Sequence, residues 1–397
     1  MPYLLPRNRA STSLILVGSF GRLSYLEACS VLGPWLKSCT VPCEGIIAVE
    51  LSGHQPVRLQ RLSGVYKIAI RLGAFSDEAE LAGKLRETFD EAYSHANFSV
   101  SLYGSPVDEY SGVASTVLGA LRRAGLKKAN MLRPDRGSEL RAEQILSRNA
   151  VDLVVFGGGG EEGYQAGATW YVPDAKEMRL RTKERPVPSP EISMSPRLAG
   201  TLVNLAGLQE GQTLLDPFCG SGTILMEALL RGIGCIGVDS DPARVRHARQ
   251  NIGWLLGKYG PRKAGWDVRT GDARSVHETL GASRVDAVVT EPVLLPKFTA
   301  LPTKERAETA AEAALDTYMA ALRSVRRVLK PGGRAVIVVP VIRTAEGGEI
   351  SLAFTDPQEL GLKEYQPDPW PRVGYPVRMA SESTRWIRRG VYVFEAV

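Results

Sequence analysis

"LLDPFCGSGTILMEALLRG", residues 214–232, decides how the second half of this 397-residue chain is read. The apolar run into Asp216 predicts a strand. Gly220-Ser221-Gly222 predicts a tight turn, and the apolar spacing from Thr223 onward predicts a helix. A strand–glycine turn–helix unit needs glycine because the backbone turns sharply and lets a ligand approach closely. The first amides of the helix then face that ligand.

The residues around the turn sort the ligand classes. A phosphate-binding P-loop requires Lys-Ser/Thr after the glycines, and here Ile224 follows Thr223. A dinucleotide turn requires a third glycine, and Leu225 takes its place. S-adenosylmethionine has no pyrophosphate. It calls for one acid near its charged amino acid end and another on its ribose. Asp216 stands for the first. Asp239, closing the next apolar run in "GCIGVDSDP", stands for the second, and Asp272 in "WDVRTGDA" follows a third run, where an acid can hold the adenine amino group. Asp241, before Pro242, reads as a helix cap. Cys219 lies in the turn without a basic neighbour to activate it and reads as packing.

Working outward, "VDAVVTEP" (285–292) and "GGRAVIVVP" (332–340) continue the alternation of strands and helices. This predicts a doubly wound, mostly parallel sheet over 193–397. The long helical stretch at 305–330 should stop at its "PGG", and "WIRRGVYVFEAV" (386–397) reads as a final edge strand. Upstream, residues 1–60 mix short β-like runs with one helical stretch. Residues 61–172 alternate strands and helices as a small α/β domain, and 173–192, rich in proline and charge, read as a linker. "FGGGGEEG" (156–163) lacks the Lys-Ser/Thr of a phosphate loop and reads as a turn between two strands.

Composition narrows the class. The chain is 44% hydrophobic without a run long enough for a membrane span, so a globular protein with no membrane role is expected. Five irregularly spaced cysteines and four scattered histidines favour a reduced, cytoplasmic setting and no metal site. The net charge of +6 points toward an acidic partner such as nucleic acid.

"DPFCGSGTILMEA", followed by "GVDSDP" and then by "TEP", resembles the amino-methyltransferase branch of the class I methyltransferases. Within it the chain resembles the THUMP-domain tRNA guanine-N2 methyltransferases, the archaeal-type guanosine-10 group. "RLSGVYKIAI" is similar to the entry of the THUMP region, and "SMSPRLAGTLVNLAG" (193–207) to the segment that helps close over the methionine end of the cofactor. The resemblance implies a ferredoxin-like piece over 1–60, an RNA-gripping THUMP-like domain over 61–172, and a Rossmann-like methyltransferase domain after the linker. It implies S-adenosylmethionine held by Ser195, Asp216, Phe218, Gly220, Gly222, Asp239, Ser240, Asp272 and Ala273. It also implies tRNA as substrate and, for some relatives, a small zinc-ribbon activator protein.

Between residues 120 and 148 eight basic residues face three acids. Arg122, Arg123, Lys127, Lys128, Arg133 and Arg136 are therefore the expected RNA contacts, giving affinity and register, not sequence choice. Lys176, Arg179, Arg181, Lys183 and Arg185 of the linker are expected to continue this track.

An exocyclic guanine amine is a poor nucleophile because its lone pair is shared with the ring. The family loop compensates with a polar residue, a proline that aims a backbone carbonyl, and an aromatic that stacks on the base. On this chain Thr290 takes the polar position, Glu291 the next, Pro292 the proline and Val293 the aromatic. Losing a base stack costs about 1–3 kcal/mol. Two other readings stay open: methylation of another nucleic-acid amine, and a non-catalytic RNA-binding protein, the latter motivated by Val293.

Overall fold

The computed structural model describes residues 12–53, 55–89, 93, 95–134, 137–157, 163–187, 194–260, 264–292, 298–354, 356–379 and 386–397. The chain divides into two compact units, Met1–Tyr25 with Leu32–Lys176, and Leu26–Val31 with Glu177–Val397.

The first unit contains β1 (Ser13–Gly18), the ends of α1 (Arg22–Leu32, whose residues 26–31 belong to the second unit), β2 (Leu36–Cys43), β3 (Ile46–Leu51), α2 (Pro56–Gln60), β4 (Val65–Phe75), α3 (Glu78–Thr88), β5 (Asn97–Tyr103), α4 (Tyr110–Arg123), β6 (Asn130–Leu132), α5 (Ala142–Ser147), β7 (Ala150–Gly157) and β8 (Tyr164–Tyr171). Its strands form one sheet in the order β2-β3-β1-β4-β8-β7-β5-β6. Strands from 1–60 and from 61–172 thus hydrogen-bond into the same sheet, with β1 antiparallel to both β3 and β4. β7 and β8, on either side of the glycine run, pair antiparallel. Residues 158–162 of that run lie outside the described residues.

The alternation of β5 divides two environments. Phe98, Val100 and Leu102 join Leu81, Leu85, Val113 and Val117 of α3 and α4 in a hydrophobic core. Ser99 and Ser101, on the other face, meet a buried ion pair. Lys67 Nζ lies 2.9 Å from Asp152 Oδ2 and 2.7 Å from Ser101 Oγ, and Ser99 Oγ donates to Asp152 Oδ1 at 2.6 Å. Lys67 is 1% exposed and Asp152 is fully buried, so neither charge has water as an alternative partner.

The second unit contains α6 (Ala175–Lys183, whose first residues lie before the boundary), α7 (Pro196–Leu205), β9 (Thr213–Asp216), α8 (Thr223–Leu229), β10 (Gly234–Asp239), α9 (Pro242–Tyr259), β11 (Trp266–Thr270), α10 (Val276–Leu280), β12 (Val285–Thr290), α11 (Lys304–Val328), β13 (Leu329–Arg343), β14 (Glu349–Ser351), β15 (Leu362–Glu364), β16 (Val377–Arg378) and β17 (Ile387–Ala396). Its sheet runs β11-β10-β9-β12-β13-β17-β15, with β14 on β13 and β16 on β17. The pairs from β11 to β13 are parallel, and β17 is antiparallel to β13 and β15. Strands buried on both faces need continuous apolar runs, as in β12, where Ala287, Val288 and Val289 are buried. α9 starts on Asp241, which accepts from Ala243 N, followed by Pro242 at the first helical position. α11 starts on Thr303 and carries Arg326 and Arg327 in its last turn, where cations complement the helix dipole.

Two expectations are corrected. β17 is not an edge strand: it lies between β13 and β15, because β15 and β16 both add to its outer side. The "PGG" does not stop α11, which ends at Val328. The glycines fall inside β13, where the β12–β13 register shifts between Val285 and Ala287 and accommodates the extra residues as a bulge. The stretch expected as linker holds α6. Among the described residues no helix is long and apolar enough to cross a membrane, and no cluster of His, Cys, Asp and Glu could hold a metal ion.

The buried Lys67–Asp152 pair gives a stability prediction. Asp152→Ala leaves the buried ammonium with only the more distant and half-exposed Glu139, 3.7 Å away, and should cost about 3 kcal/mol in urea unfolding. The double change Lys67→Met with Asp152→Leu removes both charges and should cost much less. Equal losses would show that the pair is not what the single change disturbs.

Candidate active site

The strand order places the site. β9 has β10 on one side and β12 on the other, so the connections leave the sheet in opposite directions and open a crevice at the carboxyl ends. Asp216 ends β9, Asp239 ends β10 and Thr290 ends β12. Because Ala287 and Val288 of β12 pair with Leu214 and Leu215 of β9, the two strand ends emerge side by side. Thr290 Oγ1 donates to Asp216 Oδ1 at 2.7 Å.

Asp216 is 2% exposed. Burial raises its carboxyl from 3.8 to about 7, with smaller contributions from Asp239 and Glu291, against the lowering effect of hydrogen bonds from Thr290 and the Phe218 amide. The turn after β9 is held from β10. Cys219 N donates to Val238 O at 3.0 Å, and Gly220 N to Asp239 Oδ2 at 2.9 Å. The other Asp239 oxygen accepts from Asp241 N at 3.0 Å. Gly220 (φ 51°) and Gly222 (φ 84°) adopt the left-handed region, which a side chain disfavours. A Cβ on Gly222 would also approach Ala248 Cβ to 3.2 Å. The Cys219 thiol is buried and pushed far up by desolvation and by the two carboxylates, so it is no nucleophile.

The other expected cofactor residues divide. Ser195 caps α7, its hydroxyl accepting from Leu198 N at 3.2 Å. Asp272 accepts from Arg274 N at 2.8 Å and from Arg274 Nη2 at 2.6 Å, and this side-chain bond holds its carboxyl below the usual range. Phe218 is half-buried, Ser240 is exposed and Ala273 is buried. The contacts therefore bring Asp216, Gly220, Asp239 and Thr290 into one bonded set. A buried carboxylate, an open glycine turn and a second carboxylate form a donor set that suits a ligand carrying a cation and a diol.

Two residues of the site were not read from the sequence. Arg389 of β17, 6% exposed, forms an ion pair with Glu291 through Nε and Oε1. Its signal was an arginine inside a strand of buried residues, which requires an acid partner. Tyr318 of α11 is buried, and desolvation together with Glu291 holds its hydroxyl in the neutral form. Pro292 is buried, and Val293 lies outside the described residues.

Of the expected RNA contacts, Arg122, Arg123, Lys127, Lys128 and Arg133 are exposed, at the end of α4 and after it. Arg123 also pairs with Glu78 at 3.2 Å, and Arg136 lies outside the described residues. Two linker cations do not join such a track. Arg181 bonds Glu227 and Arg185 bonds Thr223, both turned onto α8 because a buried acid and a hydroxyl there need partners.

The fold is that of the class I methyltransferases, mixed α/β with a mostly parallel sheet. The chain is similar to TrmN from Thermus thermophilus, with a TM-score of 0.51 at 20% identity over 97% of this chain and 100% of that one. Residues 185–346 match the family described as UPF0020, RMKL-like, methyltransferase domain. The chain is 37% identical over 148 residues to the tRNA (guanine(10)-N2)-dimethyltransferase of Methanothermobacter thermautotrophicus, covering 37% of this chain and 39% of that one. It is 32% identical over 165 residues to the enzyme of the same name from Pyrococcus abyssi, covering 42% and 44%. The match thus spans less than half the length of these relatives.

Asp216 sets a pH signature. Its raised folded value means that the folded chain keeps a proton that the unfolded chain has released, between about pH 4 and pH 7. Its contribution to stability therefore falls as pH rises through that window, by up to about 1.4 kcal/mol per unit, and levels off above it. Urea unfolding of the wild type and Asp216→Asn over pH 4.5–8 should show this slope in the difference between them. A flat difference would place the proton elsewhere.

Proposed function

We propose that the protein transfers a methyl group from S-adenosylmethionine to the exocyclic N2 amine of a guanine in tRNA. The observation that carries this reading is the hydrogen bond from Thr290 to Asp216 at the paired ends of β12 and β9. When bound, the cofactor supplies an electrophilic methyl group. Asp216 and the glycine turn hold its amino acid end, and Asp239 its ribose. Ionised Asp216 fixes the hydrogen of Thr290, so the hydroxyl oxygen faces a target amine as an acceptor only. Accepting an amine N–H there turns the nitrogen lone pair away from the ring and toward the methyl group. Glu291, held by Arg389, fixes the corner between Thr290 and Pro292.

The substrate class rests on two supports. The archaeal relatives are named tRNA (guanine(10)-N2)-dimethyltransferases. The first unit exposes the cations at 122–133, consistent with a THUMP-like RNA grip that leaves 193–397 for chemistry. A small zinc-ribbon activator belongs to the same reading.

The test is methyl transfer to bulk tRNA, with and without a co-expressed zinc-ribbon protein, followed by nucleoside mass spectrometry. N2-methylguanosine, mapped to a position-10-type site, is the expected product. Methylated adenine or cytosine, or preference for DNA, would replace guanine N2 with another amine. Failure to bind S-adenosylmethionine in calorimetry would leave only an RNA-binding role. A second expectation concerns the loop aromatic. Val293→Tyr should restore a stacking face and raise turnover about tenfold. Unchanged turnover would mean that the base is clamped by another group.

A further inference from the structure

The stretch expected as a linker is fastened to the back of the glycine turn. Arg181 Nε donates to Glu227 Oε1 at 2.8 Å, and Arg185 Nη1 to Thr223 Oγ1 at 3.0 Å. Thr223 is the first residue of α8 after the glycine turn, and Glu227 lies one helical turn further along the same face. The two arginines are four positions apart, as are their partners, and the later arginine bonds the earlier partner, so the strap runs antiparallel to α8. Asn251 of α9 completes the fastening. Its Oδ1 accepts from Val187 N at 3.0 Å, and its Nδ2 donates to Val187 O at 3.1 Å and to Ser221 O at 3.0 Å. Ser221 is the residue between the two left-handed glycines. Asn251 is fully buried and Arg185 is 4% exposed. Such groups are costly to bury unless bonded.

We infer that Arg185 and Asn251 are positioning residues for the methyl donor: the strap at 181–187 sets the conformation of the Gly220–Gly222 turn, and through it the affinity for S-adenosylmethionine, without touching the cofactor. This rests on the reading that the turn holds S-adenosylmethionine. It gives the linker a role in cofactor binding in place of the RNA track expected for it. Residues 181 and 185 reach partners at 227 and 223, and 187 is joined to the Ser221 carbonyl through Asn251, so one short segment bears on both the turn and the start of the helix behind it.

The full-length protein carries the test. Arg185→Met and Asn251→Ala should weaken S-adenosylmethionine binding in calorimetry by about tenfold, the scale of one buried hydrogen bond left unmade. They should raise the cofactor KM while leaving the tRNA KM unchanged. Amide hydrogen exchange over 219–223 should quicken in both. Arg185→Lys, which keeps a donor for Thr223, should recover most of the affinity. If Arg185→Met does not fold, Thr223→Val removes the same bond with little change of shape. Folded variants with wild-type exchange at the turn and wild-type affinity would overturn the inference. Faster exchange at the turn in a protein whose wild type binds no S-adenosylmethionine would instead overturn the cofactor reading on which it rests.

Discussion

The parallel pairing of β9 with β12 is the constraint on which the rest of the site depends. It sets the ends of two strands, 74 residues apart in sequence, close enough for one hydrogen bond between Thr290 and Asp216. A one-residue slip in this register would turn Thr290 to the opposite face of the sheet. The pairing is secure because both strands are buried on both faces, so Leu214, Leu215, Val288 and Val289 lose apolar contacts in any other alignment. The ends of β9 and β12, which the proposed reading assigns to cofactor and substrate, thus meet at a joint fixed by the core.

Three carboxylates converge there, and each is compensated differently. Asp239 accepts two backbone amides, one on each oxygen. Glu291 has the Arg389 guanidinium. Asp216 has a hydroxyl and one amide on a single oxygen, with no cation in direct contact among the described bonds. Burial therefore falls hardest on Asp216, whose carboxyl is held near 7. A site built this way is preorganised for a cationic ligand group, because an arriving ammonium lowers the cost of ionising Asp216 and at the same moment fixes Thr290 as an acceptor. On the proposed reading, cofactor binding and substrate alignment are then coupled through one proton.

How much of this was legible follows from where the partners lie. "GCIGVD" and "VDAVVTEP" announce themselves because interior parallel strands are largely apolar runs; β10 matches the first residue for residue, and β12 ends at Thr290, two residues short of the second. A polar residue at the end of such a run, as at Asp216, Asp239 and Thr290, is conspicuous for the same reason. The partner of Arg389 was not legible, because Glu291 is 98 residues away, although an arginine inside a strand of buried residues signals that an acid partner exists. Nor was the interior position of β17, since its alternation is the same whether one neighbour or two flank it. Arg181 and Arg185 were read as part of an RNA-backbone track from local composition, which carries no information about a buried Glu227 or Thr223.

The antiparallel insertion of β17 then bears on the loop that looked deficient. By lying between β13 and β15, β17 brings Arg389 to the corner after Thr290, opposite Pro340 of β13. Glu291 is thereby anchored to the sheet by a charged bond, and charged hydrogen bonds are about twice as strong as neutral ones. The polar half of the loop is braced from two sides, by Asp216 on β9 and by Arg389 on β17. On the proposed reading, a valine at position 293 in place of an aromatic forgoes a stacking surface worth about 1–3 kcal/mol, and Thr290 and Glu291 keep their bracing. That reading therefore expects a weaker hold on one face of the base with the polar half of the loop in place, the pattern of a slower enzyme rather than of a dismantled one.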